Sequence, residues 1–309
     1  MTPQGGDGLG DAARVAYVPP SALRRLLHNP VVIFGAVVLA LIVALGIAAP
    51  WLTDFDPVAI SPASRNQVTA AVETVRADDG GKVDVRHWMG TDSLGRDVAS
   101  RVFYGARVSL LVGISVAVIA IVIGTAIGVV AGYFRRLDGI IMRIMDGLMA
   151  IPGILLAIAL VSISTAGVAA VIIAIVVPEI PRVVRLVRSV VLSVREEPYV
   201  EAAIAAGTRP GALIVRHILP STYSPLIVQA TYICATAILV EAILSFLGVG
   251  IPPQTPTWGN IMAEGRTLFR IYPHNVLWPG LFVGLTVLSI NVLGDGLRDA
   301  LDPRMRRQP

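Results

Sequence analysis

Long apolar runs are the feature that most constrains this chain. Six stretches of roughly 20 mostly apolar residues recur along its 309 residues, and about 20 residues is the length with which an α-helix crosses a hydrocarbon core. Hydrophobic residues make up 55% of the chain and charged residues 15%, with a mean hydropathy of +0.74. We therefore predict an all-α integral membrane protein with six transmembrane helices, at 31–49, 108–132, 147–164, 168–188, 225–247 and 277–298.

The third and fourth predicted spans are separated only by small residues around Gly167. They form either a tight hairpin or one long broken helix. We favour the hairpin, because Gly167 and Pro178 interrupt a continuous helical pattern.

Arginines indicate the orientation of these spans. They cluster before the first span, after the second, after the fourth and at the end of the chain. With six spans, all four groups fall on one side of the membrane, and the positive-inside rule makes that side cytoplasmic. We expect both termini in the cytoplasm, a cytoplasmic segment at 1–29, a first transmembrane helix at 30–50 and an extracytoplasmic loop at 51–107. Within that loop, Asp78 to Gly81 are typical of a flexible loop or a hairpin tip.

The formal net charge of +4 comes from basic residues scattered between the apolar runs, without interleaved aromatic residues. Nucleic-acid binding is therefore not indicated. Lys82 is the only lysine and lies in the predicted extracytoplasmic loop, so no Gly-x-x-x-x-Gly-Lys-Ser/Thr loop exists to cradle the phosphates of ATP. This chain is not itself an ATPase.

One cytoplasmic stretch, Glu201-Ala202-Ala203-Ile204-Ala205-Ala206-Gly207, has the pattern of a short helix and its end. Alanine favours helix, and Gly207 suits the left-handed conformation that terminates one. Thr208 is a candidate cap for a second short helix with Pro210 in its first turn. The stretch is either a docking element for another protein or an ordinary amphipathic connector.

The spacing of this stretch resembles a known motif. It is similar to the EAA loop of ABC importer permeases, whose short helix docks in a groove of the ATPase subunit. The matching pattern is Glu201-Ala202-Ala203, then three residues and Gly207, then nine residues and His217-Ile218-Leu219-Pro220. The family usually has isoleucine where this chain has His217.

Three further motifs resemble the C-type permease subunits of the dipeptide and oligopeptide (peptide/nickel) ABC importers. They are Gly90-Thr91-Asp92-Ser93-Leu94-Gly95-Arg96-Asp97, Ser245-Phe246-Leu247-Gly248-Val249-Gly250 and Asn291-Val292-Leu293-Gly294-Asp295-Gly296-Leu297-Arg298-Asp299. All four motifs occur in the family's order.

The resemblance implies a type I ABC importer transmembrane domain in the cell membrane of a prokaryote. A core permease domain would occupy 108–300, with a coupling loop at 195–220 and a cytoplasmic tail at 301–309. The expected partners are a homologous B-type permease, two ABC ATPase subunits and an extracytoplasmic peptide-binding protein. No cofactor is expected on this chain, because ATP and Mg²⁺ would bind the partner subunits. The residues expected to couple to the ATPase are Glu201, Ala202, Ala203, Gly207, Leu219 and Pro220.

A stand-alone, ion-coupled secondary transporter is the alternative function. Such a protein is expected to show paired half-sequences and more ionisable residues inside its spans. Neither is evident in this sequence.

Two acidic residues, Glu179 and Glu241, lie in or next to apolar runs. A carboxylate inside a membrane is costly unless it is paired or faces water. Each is therefore a candidate either for the pathway, where it would meet the amino terminus of a peptide, or for an ion pair with an arginine of a partner subunit.

Other polar and aromatic residues have simpler interpretations. Asp92, Arg96, Asp97 and Arg101 are spaced for local ion pairs at the start of the second span, which we favour over substrate contact. Trp258 and Trp278 are predicted to anchor at the headgroups. The charges of Asp295, Arg298, Asp299 and Asp302 are expected to pair among themselves or to reach the membrane surface.

Overall fold

The computed structural model describes residues 29–76 and 82–301. Most of these residues are helical. The helices are α1 (Pro30–Leu52), α2 (Val98–Tyr133), α3 (Arg135–Met149), α4 (Gly153–Ile163), α5 (Val168–Arg195), α6 (Pro198–Ala205), α7 (Pro210–Leu213), α8 (Leu219–Phe246), α9 (Trp258–Gly265) and α10 (His274–Leu301). Almost all of the predicted segments 1–29 and 301–309 lies outside the described residues.

A small β-hairpin lies in the segment predicted as an extracytoplasmic loop, so the chain is mostly helical rather than all-α. Strand β1 (Ala71–Arg76) pairs antiparallel with β2 (Lys82–His87), with Ala71 opposite His87. The predicted tip at 78–81 lies outside the described residues. The alternation of polar and apolar residues from Lys82 to Arg86 in β2 is the sequence signal for this hairpin.

Four helical stretches are long and apolar enough to cross a membrane among the residues that the structure describes. They are Pro30–Leu52, Val98–Tyr133, Pro210–Phe246 and His274–Leu301. Helices α3 and α4 together make a fifth if a bend of 86° is accepted within one span. The prediction of six transmembrane helices is therefore not confirmed.

Two of the predicted spans differ from the observed helices. The span at 147–164 is interrupted between α3 and α4 at Pro152, because proline lacks a backbone N–H and disfavours helical conformation in the residue before it. The fourth predicted span is one 28-residue helix, α5. Its charged residues Glu179, Arg182 and Arg185 make it too polar to count among the four apolar stretches. The separation of α4 from α5 confirms the predicted hairpin around Gly167.

Helices α2 and α5 approach each other closely along a row of glycines. A β-carbon on any of these glycines would come within 2.5–2.8 Å of a valine β-carbon on α5, so only glycine allows this contact. The facing pairs are Gly124 with Val183, Gly128 with Val187, and Gly132 with Val191.

The buried residues form two apolar cores. The first joins α2, α5 and α8 and extends to Val200, Leu213 and Ile218 beyond the end of α5. The second joins α1, α2, α8, α9 and α10. The short helices α6 and α7 are thus attached to the same core that holds the long helices together.

Candidate coupling surface and charged sites

Helix α6 is anchored on one side only. Val200 is fully buried in the first core, together with Leu213 and Ile218. The Tyr199 hydroxyl donates to the His217 carbonyl at 3.4 Å. These contacts fix α6 against the segment that leads into α8.

The opposite side of α6 is exposed and consists mostly of small side chains. Ala203 is half-buried against the core, and Ile204 is 54% exposed. We call this face the coupling surface; its exposed residues are Glu201, Ala202, Ile204, Ala205, Ala206 and Gly207. Small side chains let another backbone approach closely, and Glu201 supplies one charge to orient it.

Gly207 has the left-handed conformation that the sequence predicted, with φ of +79°. No atom lies within 4 Å of the position that a β-carbon would occupy. The requirement for glycine is therefore conformational, not steric. Arg209, not the predicted Thr208, precedes α7, and its side chain makes no capping hydrogen bond, while Pro210 lies in the first turn as predicted.

Leu219 and Pro220 lie where the loop joins the long helix. Between α7 and α8 the chain forms a π-helical turn, Ile214–Ile218, in which the Leu219 N–H bonds the Ile214 carbonyl. Pro220 has no N–H and would clash with a carbonyl four residues earlier in a regular helix, so the wider turn accommodates it. The helix continues from Pro210 to Phe246, 37 residues in all, and connects the coupling surface directly to a spanning helix.

Glu179 lies in α5 and is 5% exposed. Both of its carboxylate oxygens accept from Arg182 Nη1, at 2.8 and 3.0 Å. The Arg182 side chain is 51% exposed, so the pair has one buried partner and one at the surface. Farther along α5, Arg185 and Arg188 bind Asp146 and Asp138 of α3.

Glu241 lies inside the subunit. Its carboxylate is 0% exposed and accepts from Ser109 Oγ at 3.0 Å and from Ser245 Oγ at 2.8 Å. It therefore connects α2 to α8 within one chain. In this conformation the carboxylate does not lie on the surface where an arginine of a partner subunit or a peptide would meet it.

Four charged residues form an ion-pair cluster at the start of α2. Asp92 Oδ2 accepts from Arg96 Nε at 2.7 Å, a local pair that the four-residue spacing predicted, and from Arg101 Nη1 at 2.6 Å, a pair that it did not predict. Both arginines also bind Glu264 of α9. We call Asp92, Arg96, Arg101 and Glu264 the ion-pair cluster.

Asp97 has a different partner from the one that its spacing predicted. It accepts from the Ser100 N–H at 2.7 Å, which caps the N-terminus of α2, and its other oxygen is 2.9 Å from His87 Nδ1. Because His87 ends β2, this contact ties the hairpin to α2.

Trp258 is fully buried, so its predicted place at the headgroups is wrong. Its Nε1 donates to the Val102 carbonyl at 3.0 Å. Trp278 is half-buried and packs against the second core. Neither Trp258 nor Glu264 has a local sequence signal for these contacts, because their partners are more than 150 residues away.

The structure is that of a helical protein with at least four helices long and apolar enough to cross a membrane and a short helix, α6, exposed on one side. Residues 120–307 match the family described as the binding-protein-dependent transport system inner membrane component, and residues 21–68 match the N-terminal TM domain of oligopeptide transport permease C. The chain belongs to the family of binding-protein-dependent transport system inner membrane components.

Two curated relatives align along most of the chain. A probable peptide ABC transporter permease protein of Sinorhizobium fredii is 50% identical, with 93% of this chain and 94% of the relative covered. A dipeptide transport system permease protein of Alkalihalophilus pseudofirmus is 40% identical, with 92% and 90% covered.

A solved structure shares the fold. The structure described as inward facing conformations of the MetNI methionine ABC transporter superposes with a TM-score of 0.52 at 21% identity. The match covers 64% of this chain and 95% of that chain. The part of this chain that the match covers therefore has the fold of a chain of that ABC transporter.

Proposed function

We propose that this chain is the transmembrane permease subunit of an ATP-driven importer of dipeptides and oligopeptides. It would form half of the translocation pathway, with a homologous B-type permease as the other half. The names of the two relatives support peptides as the substrate class. The importer would lie in the cell membrane of a prokaryote, with an extracytoplasmic peptide-binding protein delivering the substrate.

The coupling surface is the observation that carries this proposal. Its exposed small residues and Glu201 would dock in a groove of an ATPase subunit, and Ala203 would hold the helix to the core. Leu219 and Pro220 would pass the movement of the docked helix into α8 through the π-helical turn. Closure of the two ATPases on ATP would then become a rigid-body movement of α5 and α8, as alternating access requires.

Six spans with both termini in the cytoplasm remain part of the proposal. Helix α5 is long enough to cross, since 28 residues extend about 42 Å. The pairing of Glu179 with Arg182 would reduce the cost of its charges in the membrane. ATP and Mg²⁺ would bind the partner subunits, because this sequence has no phosphate-binding loop.

Substitution of Gly207 tests the coupling role. Gly207→Val forces a β-branched residue into the left-handed conformation, at a cost of about 1–3 kcal/mol, and should lower both ATPase co-purification and dipeptide uptake. Gly207→Asn should retain most of both, because asparagine adopts this conformation more readily. Gly211→Ala is the matched control, since Gly211 is exposed and a β-carbon there meets no atom within 4 Å.

The measurement is affinity purification of the tagged chain with its partners, followed by ATPase and uptake assays in proteoliposomes. Equal activity of the valine, asparagine and alanine variants would overturn the coupling role. Uptake driven by an ion gradient without ATP would instead favour a secondary transporter. Competition by glutathione or nickel, but not by dipeptides, would overturn peptides as the substrate class.

A further inference from the structure

One face of the molecule carries polar side chains on three long helices. They recur at intervals of three or four residues, so on each helix they lie on the same side. The residues are Glu179 and Arg182 on α5, Gln229 and Tyr232 on α8, and Asn291, Asp295 and Arg298 on α10. We call this face the polar track.

A cavity of about 420 Å³ lies on the polar track where the three helices meet. Ser224, Gln229 and Tyr232 of α8 and Arg298 of α10 provide its polar lining, and Leu186 of α5 completes one wall. Arg182 and Glu179 precede Leu186 by four and seven residues, so they lie about one and two turns away on the same side of α5.

The cavity lies at the end of the molecule that carries the coupling surface. Ser224 and Tyr232 follow the start of α8 by about 8 Å and about 20 Å along the helix axis, at 1.5 Å per residue. Arg298 lies in the last turn of α10. The cavity is therefore in the half of the spanning helices that would be cytoplasmic.

The polar track is unsuited to lipid. Asp295 and Arg298 are exposed, and the Arg182 side chain is 51% exposed. Charged side chains within spanning helices face water or protein rather than acyl chains. A different face, between α1, α2, α8 and α10, has an apolar cavity of about 880 Å³ lined by residues such as Val37, Ile114 and Val118, which suits lipid.

We propose that the polar track lines the translocation pathway and that its cavity, together with Asp295 beside the cavity residue Tyr232, binds both termini of a short peptide. Arg298 would bind the peptide carboxylate through its planar guanidinium, and Asp295 would bind the ammonium group. The Tyr232 hydroxyl donates to Asp295 and so orients its carboxylate. This proposal rests on the proposed function as a peptide importer.

The spacing of the two charges matches a short substrate. Side chains three residues apart on a helix have β-carbons about 5–6 Å apart, and two extended residues span at most about 7 Å. A zwitterionic dipeptide can therefore reach both Asp295 and Arg298. A peptide with blocked termini has neither charge and loses both contacts.

Cysteine labelling from the cytoplasmic side tests this proposal. Cys234 is the only cysteine of the chain, so Cys234→Ala gives a background in which Gln229→Cys reports on the cavity. The complete complex in inside-out vesicles is treated with a membrane-impermeant thiol reagent, with and without a dipeptide. Val118→Cys, on the apolar face, is the matched control.

We expect Gln229→Cys to react, Val118→Cys not to react, and the dipeptide to slow the reaction at Gln229→Cys. The same dipeptide with an acetylated amino terminus and an amidated carboxyl terminus should not protect. Adding Arg298→Gln should raise the dipeptide concentration needed for protection about tenfold, the factor that loss of one charge-assisted hydrogen bond costs.

Two results would overturn the proposal. An unreactive Gln229→Cys would mean that lipid or protein covers the polar track, and equal protection by the blocked peptide would mean that the termini are not recognised. In inside-out vesicles an importer would move dipeptide from the lumen to the medium, so ATP-driven release of dipeptide loaded into the lumen with the peptide-binding protein tests the proposed function separately. Release without protection would overturn the cavity but leave the importer, whereas protection without release would leave the cavity and overturn the importer.

Discussion

The ion-pair cluster and the coupling surface both contain charged residues in recognisable motifs, but the two regions use their charges differently. In the ion-pair cluster, Arg101 and Asp92 are 1% and 2% exposed and bind each other and their neighbours within the subunit. On the coupling surface, Glu201 is exposed and projects from a helix whose contacts with the core come from Val200 and Ala203.

This difference separates charges that stabilise the fold from charges that are available to a partner. Removing one member of a buried ion pair leaves an unpaired charge out of water, which is strongly destabilising. Removing an exposed charge has little effect on stability. Substitutions in the ion-pair cluster should therefore lower the stability of the subunit, whereas substitutions on the coupling surface should lower its assembly with a partner.

The largest expected effect is that of Arg101→Gln. This change leaves Asp92 and Glu264 with one arginine between them and should destabilise the subunit by about 3–5 kcal/mol. Thermal unfolding of the detergent-purified subunit, followed by tryptophan fluorescence, measures the effect. Arg101→Lys keeps the charge but not the forked geometry of arginine. Its unfolding temperature should lie between those of Arg101→Gln and the unchanged protein.

Arg209→Gln is the control for this experiment. Arg209 is an exposed arginine beside Gly207 in the coupling loop, so its loss should change stability by no more than about 0.5 kcal/mol. Equal unfolding temperatures for Arg101→Gln and Arg209→Gln would show that the ion-pair cluster does not hold the fold together.

A matched pair of tryptophans gives the next largest effect. Trp258→Phe removes the hydrogen bond to the Val102 carbonyl and should cost about 1 kcal/mol. Trp88 is 65% exposed, so Trp88→Phe should stay within about 0.5 kcal/mol of the unchanged protein. Thermal unfolding of both variants measures the difference, and a larger loss for Trp88→Phe would mean that the exposed side of the hairpin is also held by contacts.

The contrast between the two regions also shows what the sequence can predict. Gly207 and Pro210 were predictable, because left-handed conformation and a helical first turn are local preferences of glycine and proline. The pair of Asp92 with Arg96 was predictable as well from its four-residue spacing, although residues 92–97 precede α2 and are not helical. The pair of Asp92 with Arg101, nine residues apart, was not.

Contacts between distant segments were not predictable. Glu264 joins the ion-pair cluster from α9, and Trp258 is buried against α2, because tertiary packing places these segments together. The same limit applies to Glu241, whose partner Ser109 is 132 residues away. The apolar runs predicted where the long helices lie, but not the break at Pro152, where a local preference ended a run that hydropathy alone made continuous.

The smallest expected effect on stability belongs to Glu201→Arg, and it tests the coupling surface most directly. Glu201 makes no ion pair within the described part of the chain, so charge reversal should change the unfolding free energy of the isolated subunit by no more than about 0.5 kcal/mol. Recovery of the ATPase subunits should nevertheless fall, because a reversed charge on a docking surface is repelled where the original charge was attracted. Glu196→Arg is the matched control, since Glu196 is also exposed but precedes α6. An equal loss of ATPase with both variants would indicate a general effect of charge near the membrane, whereas a loss confined to Glu201→Arg assigns the contact to the coupling surface.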